Sequence, residues 1–306
     1  MENSSFIIQQ LINALFLGSI YALIALGYTM VYGIIELINF AHGELFTAGA
    51  FIGIIVLSAL QKFGFVETHF VFTLFLVFGT AMAYVGVLGV AIEHVAYKPL
   101  RNASRLAAIL SALGMSIFLS NGMMLSQGVS DRAYPAIFGM KGFSIIGARI
   151  TYGQVFIIVL SLALMVALNM FVKWTRLGKA MRATAQNLNM ARMLGIDIDR
   201  TIRVTFIIGP ALGAAAGVMV GMYYGSVRFD MGFIYMIKAF AAAILGGIGS
   251  IPGAVLGGMI IGGVEVLWSA FLPSEWKDVT TFIVLILVLY LKPSGILGED
   301  VSESRV

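Results

Sequence analysis

The chain has 306 residues, 60% of them apolar and only 11% charged, proportions that exclude a soluble globular domain of this size and leave a polytopic membrane protein. The net charge of +4 comes from cations gathered in a few loops, without the interleaved basic and aromatic residues that bind RNA, so it bears on membrane orientation and not on nucleic acid. There is no cysteine, which excludes disulfides, thiolate metal sites and cysteine nucleophiles.

A bilayer core takes about 20 apolar residues per helix. By that measure spans are predicted at 6–31, 40–60, 70–92, 106–126, 152–172, 205–224, 251–272 and 280–298, and a shorter, glycine-ended stretch at 234–248 either crosses or re-enters. The expected fold is all-α: a polytopic membrane protein of 8 to 9 transmembrane helices with broken or re-entrant segments, one membrane domain over 1–306, with 299–306 a short polar tail. The start, MENSSF, lacks the basic residues of a secretory signal, and the apolar run passes Ala25 without a cleavage site, so the first span is read as uncleaved.

Beyond the first span, GIIELINFAHGELFTAGAFIG from Gly33 sets Asn39, His42 and Glu44 into an otherwise apolar run. Asn39 suits the cap of a helix N-terminus, whose free amides and positive dipole end would take an anionic group. His42 and Glu44 are two residues apart and lie on different helix faces, which is not a metal-binding arrangement. Either the three residues line a translocation pathway or they are polar groups satisfied within the fold, and both readings stay open.

The loops carry the orientation. Lys98, Arg101 and Arg105 lie in 93–105, while Lys173, Arg176, Lys179, Arg182, Arg192, Arg200 and Arg203 put seven of the nineteen cations into 173–203. The positive-inside rule places both segments in the cytoplasm, hence the N-terminus outside and, if the short stretch crosses, the C-terminus inside. The tally is twelve cations inside and seven outside, a bias diluted by Arg132, Lys141 and Arg149 in the loop 127–150. Within 173–203, Met181, Ala185, Leu188, Ala191 and Leu194 recur at helical spacing, Lys179, Arg182, Gln186 and Arg192 fall on neighbouring faces, and Gly195 suits a left-handed helix end. Such an amphipathic helix is a handle for a soluble partner, or else the segment is an ordinary basic loop.

Gly209, Gly213, Gly217 and Gly221, continued by Gly225, recur every four residues in the sixth span and permit close approach of another helix, within the chain or across a subunit interface. A second broken stretch, KAFAAAILGGIGSIPGAVLGG from Lys238, carries Gly246, Gly247 and Gly249 and would be entered from the side opposite to the first. Interrupted segments at matching positions point to a midplane pathway and an inverted pseudo-repeat. Glu265 sits in an apolar span, where an ionised carboxylate costs about 2.5 to 3.5 kcal/mol to insert, so it is expected to face inward, toward cargo or a donor on another helix. Catalysis finds no support: HExxH, GxSxG and the phosphate loop are missing, and Gly178-Lys179 is followed by Ala180, which has no hydroxyl for magnesium. If ATP drives this protein, another subunit binds it.

The segments YALIALGYTMVYGIIELINFAHGE (21–44), IEHVAYKPLR (92–101), GKAMRATAQNLNMARMLGIDIDR (178–200), AAILGGIGSIPGAVLGG (242–258) and KPSGILG (292–298) resemble the LivH-type permease of bacterial branched-chain amino acid ABC importers nearly from end to end. The resemblance implies an inner-membrane permease subunit that forms the translocation pathway and pairs with a second, similar permease as a heterodimer. It also implies two cytoplasmic ATPases that bind ATP and magnesium, an extracytoplasmic substrate-binding protein, and no cofactor in this chain. Segment 178–195 would be the ATPase-coupling element, through Gly178, Lys179, Arg182, Ala183, Gln186, Leu188, Ala191, Leu194 and Gly195. Urea and amide permeases share the pattern. Two other classes stay open: a proton-driven secondary transporter working through Glu265 and His42, which would transport into vesicles with a proton gradient and no ATP, and a channel-like facilitator that needs no energy source.

Overall fold

The computed structural model describes residues 2–298 except 102, 140 and 146, and the polar tail expected at 299–306 lies outside the described residues. In chain order the helices are α1 (Glu2–Ile35), α2 (His42–Lys62), α3 (Phe65–Thr68), α4 (Phe70–Ile92), α5 (Arg105–Gln127), α6 (Tyr152–Trp174), α7 (Arg176–Gln186), α8 (Leu188–Met193), α9 (Ile198–Tyr224), α10 (Met231–Gly246), α11 (Ile251–Phe271) and α12 (Lys277–Leu291). A π-helical turn, Glu93–Tyr97, and a 3-10 turn, Lys98–Leu100, prolong α4. Four short strands, β1 (Arg132–Ala133), β2 (Gly142–Ile145), β3 (Ala148–Thr151) and β4 (Ser226–Val227), pair antiparallel as β1–β4 and β2–β3. Runs of two to four residues are too short for a period-2 pattern to reveal.

Seven described helices are long and apolar enough to cross a membrane: Ser5–Ile35, His42–Lys62, Phe70–Leu100, Leu106–Gln127, Tyr152–Trp174, Ile198–Tyr224 and Ile251–Phe271. They overlap seven of the predicted spans. The last prediction, 280–298, is corrected: α12 has 15 residues and stops at Leu291, because Pro293 cannot continue the ladder and Gly295, at φ +80°, turns the chain. The stretch expected at 234–248 is α10, 16 residues long. At about 1.5 Å rise per residue both helices fall short of a hydrocarbon core about 30 Å thick.

The chain forms two compact units, one of residues up to Thr29, Phe138–Asn169 and from Ile237 onward, the other of Met30–Ile137 and Met170–Met236. In the first, helices meet through small residues. A Cβ on Gly258 of α11 would strike the backbone of Ala22 of α1, and one on Gly262 would strike Gly18, so small-xxx-small steps on both helices face each other. Gly257 and Gly246 bring α10 and α11 together in the same way, against the carbonyls of Ala242 and Gly253.

The second unit is built on α2, α4 and α9, which pack on one another. Gly49 lies against Ala214, and Gly217 against the Phe46 carbonyl and Ala50, so the α2–α9 contact is backbone on backbone. Gly89 of α4 faces the Phe206 carbonyl beside Pro210. Pro210 has no N–H to return to that carbonyl, so α9 is weakened at the point where α4 covers it. Gly53 and Gly221 leave room for Tyr134, since a Cβ on Gly53 would stand 2.5 Å from its hydroxyl and one on Gly221 2.5 Å from its ring, and burial pushes the Tyr134 hydroxyl pKa up.

Candidate translocation and coupling sites

At the first break α1 ends at Ile35, and Glu36 takes φ +52°, a left-handed value uncommon outside glycine. Asn39 does not cap α2. The cap position is Ala41, without a side-chain bond, because the Asn39 Oδ1 accepts the Ala41 N–H at 3.1 Å and so closes a local turn ahead of the helix. The same oxygen accepts from the buried Tyr97 hydroxyl at 3.0 Å, while the Asn39 amide nitrogen has no partner among the described residues. His42 is wholly buried beside Gly213, where a Cβ would stand 3.3 Å from Nε2. Glu44 is buried too; its Oε1 accepts from Ser116 of α5 at 3.3 Å, and its Oε2 has no partner among the described residues. One break thus carries a buried amide, an imidazole and a carboxyl group in an apolar unit.

The candidate coupling segment, 178–195, is two helices and not the single one that its periodicity suggests. Asn187, at φ −157° and ψ 109°, separates α7 from α8 and caps α8 by accepting the Met190 N–H at 2.9 Å. Thr175 caps α7 by accepting from Gly178 at 3.0 Å, and Gly178 is pressed against the backbone of Val172 and Phe171, so no side chain fits there. Gly195 closes α8 at φ +78°, with Ile196 N–H reaching back to the Ala191 carbonyl at 3.1 Å. Met181, Thr184 and Ala191 are buried, Ala183 is half-buried, and Lys179, Arg182 and Gln186 are exposed. The apolar stripe does not follow its helical spacing inward: Ala185 is exposed, as are Leu188, Met190, Met193 and Leu194 on either side of the buried Ala191. Gly209, Gly213, Gly217 and Gly221 all lie buried in α9.

At the second break α10 ends at Gly246, Gly247 and Gly249 take φ +104° and +89°, and Ser250 caps α11 by accepting the Gly253 N–H at 3.1 Å. The last carbonyls of α10 do not go unmet: Leu245 and Gly246 accept from the N–H groups of Ile296 and Leu297, each at 2.9 Å. Glu265 is buried and fully engaged. Lys238 of α10 sits 2.8 Å from each carboxylate oxygen, and the Tyr21 hydroxyl of α1 donates at 2.7 Å. Lys238 also pairs with Asp278 at 2.8 Å, and Lys277 lies 3.4 Å from Glu265. Two cations and two anions therefore close a neutral cluster across four helices.

Residues 10–289 match the family model for the branched-chain amino acid transport system permease component. The chain is 47% identical over 308 residues to the high-affinity branched-chain amino acid transport system permease protein LivH of Salmonella typhimurium, covering 99% of both. It is 46% identical to LivH of Escherichia coli K12, again over 99% of both chains, and 45% identical to BraD of Pseudomonas aeruginosa over 97% of both. The chain belongs to this permease family.

Several of the permease's interacting groups escape a reading of the sequence. Lys238 is named there only as the start of the second broken stretch, although a lysine in an apolar run carries the same insertion cost as Glu265 and so signals a partner. Tyr97 and Glu93 have no local signal, because a π-helical turn has no sequence signature of its own. Asn187 does carry one: an asparagine directly before a periodic apolar residue, here Leu188, is a candidate helix N-cap.

Proposed function

We propose that this permease is the membrane subunit of an ATP-driven importer of branched-chain amino acids, oriented with its N-terminus outside and its C-terminus in the cytoplasm. Its partners are two cytoplasmic ATPases, a second homologous permease in a heterodimer, and an extracytoplasmic binding protein that selects most of the cargo. ATP and magnesium belong to the ATPases. Segment 178–195 docks into them, and Asn39, His42 and Glu44 in one unit, with Gly246, Gly247, Gly249 and Glu265 in the other, line or shape the pathway.

The observation that carries the coupling assignment is the set of exposed apolar side chains in and just after α8. Leu188, Met190, Met193 and Leu194 stand out of a segment whose neighbours are cationic, Leu188 being the least exposed of them at 37%. An apolar patch on a charged segment outside the bilayer is the mark of a protein partner. The cargo follows from the near-complete match with permeases named for branched-chain amino acids.

Leu188→Asp tests the assignment. Burying an unpaired carboxylate in the interface costs several kcal/mol, more than loss of the rim charge in Arg182→Glu. The permease pair reconstituted with ATPases and binding protein should import leucine when wild type and lose ATP-driven import with Leu188→Asp at normal permease abundance. Full import by that variant would remove α8 from the coupling surface.

A further inference from the structure

The residues between the coupling segment and the first break form one unbroken chain of contacts. Asp199 stands in the first turn of α9, four residues after Gly195, and pairs with Arg101, whose other nitrogen pairs with Glu93. Lys98 adds a second contact to Asp199 at 3.8 Å. Glu93 is buried, and it opens the π-helical turn that ends in Tyr97. Tyr97 rests on Phe206 of α9, with ring centroids 5.3 Å apart, and its hydroxyl holds Asn39 at the break.

Two features make this chain switchable. The π turn carries one residue more than α geometry needs, so relaxing it to α would rotate the residues downstream of it by about 100°. That rotation would take the Tyr97 hydroxyl off Asn39. On the facing helix, Pro210 cannot return a hydrogen bond to the Phe206 carbonyl, so α9 has a built-in hinge point just beyond Phe206.

We infer that Tyr97 is a positioning residue that links the ATPase side to the pathway: movement of α7 and α8 is passed through Asp199, Arg101 and Glu93 to the π turn, and Tyr97 holds or releases Asn39. The inference rests on the proposed docking of 178–195. Tyr97 touches no cargo in this scheme, and its work is to set the break.

The test uses the complete importer, both permeases, the ATPases and the binding protein, in proteoliposomes. Tyr97→Phe keeps the ring on Phe206 and removes the hydroxyl. It should leave the ATPases attached and hydrolysing while ATP consumed per leucine imported rises about fivefold or more, the lower end of measured couplings between sites. Asn39→Ala should raise the ratio similarly, and the double variant should be no worse than either single, since both cut the same link. Asp199→Asn, at the half-exposed end of the chain, raises the ratio without disturbing the buried unit. An unchanged ratio in Tyr97→Phe or Asp199→Asn, or additive losses in the double variant, would overturn the relay. Such a result beside an uncoupled Leu188→Asp sinks the relay alone, whereas full import by Leu188→Asp sinks the docking on which it rests.

Discussion

Lys238→Met should be the most damaging single change in the buried charge cluster. Both Lys238 and Glu265 side chains are 6% exposed, so neither is rescued by solvent, whereas Asp278 is 47% exposed and turns to water when its partner goes. Removing Lys238 leaves Glu265 with the Tyr21 hydroxyl and with Lys277, 40% exposed and 3.4 Å away. Breaking a buried pair from one side costs about 3–5 kcal/mol, which is roughly two to three and a half orders of magnitude in the folding equilibrium. Glu265→Gln should cost less, because Lys238 keeps Asp278 and the amide oxygen still accepts from Tyr21. Replacing both ends, Lys238→Met with Glu265→Met, removes the uncompensated charge and should recover most of the loss. Heating detergent-solubilised permease and measuring the fraction that stays monodisperse gives the order of the variants: wild type and double variant highest, Glu265→Gln next, Lys238→Met lowest. A Lys238→Met protein as heat-resistant as wild type would refute the pairing argument. A stable double variant that cannot transport would show that the charges also serve the pathway.

Two further outcomes follow from the packing and the loops. Gly217→Ala should reduce the yield of folded permease, because its Cβ meets the Phe46 carbonyl, while Gly114→Ala, which meets nothing within 4 Å, should hold or gain up to about 1 kcal/mol from helix propensity; equal heat resistance of the two would dismiss the close-contact account. Cysteine introduced at Asn187 should react only with thiol reagent that reaches the cytoplasm and cysteine at Ser130 only from outside, and a reversed labelling pattern would invert the proposed orientation.

What could be read from the residues was whatever leaves a mark within one turn or one span. The first break is legible because Asn39, His42 and Glu44 interrupt hydrocarbon, and the second because Gly247 and Gly249 supply positive φ. Glu265 announces that it needs a partner but not which one: Lys238 is 27 residues away and Tyr21 lies 244 away, distances over which spacing says nothing. The split of segment 178–195 at Asn187 is marked only by that cap residue, because the apolar period runs on across it. The period also misassigns faces, since Met181 turns in while Leu194 stays 78% exposed. The π turn is displayed only by the assembled fold, in which Tyr97 rests on Phe206 and Glu93 pairs with Arg101.

The hydrogen bonds from Ile296 and Leu297 to the end of α10 have a consequence for biogenesis. Their acceptors, Leu245 and Gly246, leave the ribosome about 50 residues before their donors, a delay of about 3–10 s at ordinary synthesis rates. During that interval the hairpin of α10 and α11 is already being inserted with two carbonyls that only water or the translocon can satisfy. The second break is therefore finished last, when the segment after α12 folds back onto it. A nascent chain cut short just after Pro293 would retain α10 to α12 whole and yet leave an open polar seam, the kind of defect that membrane quality control detects.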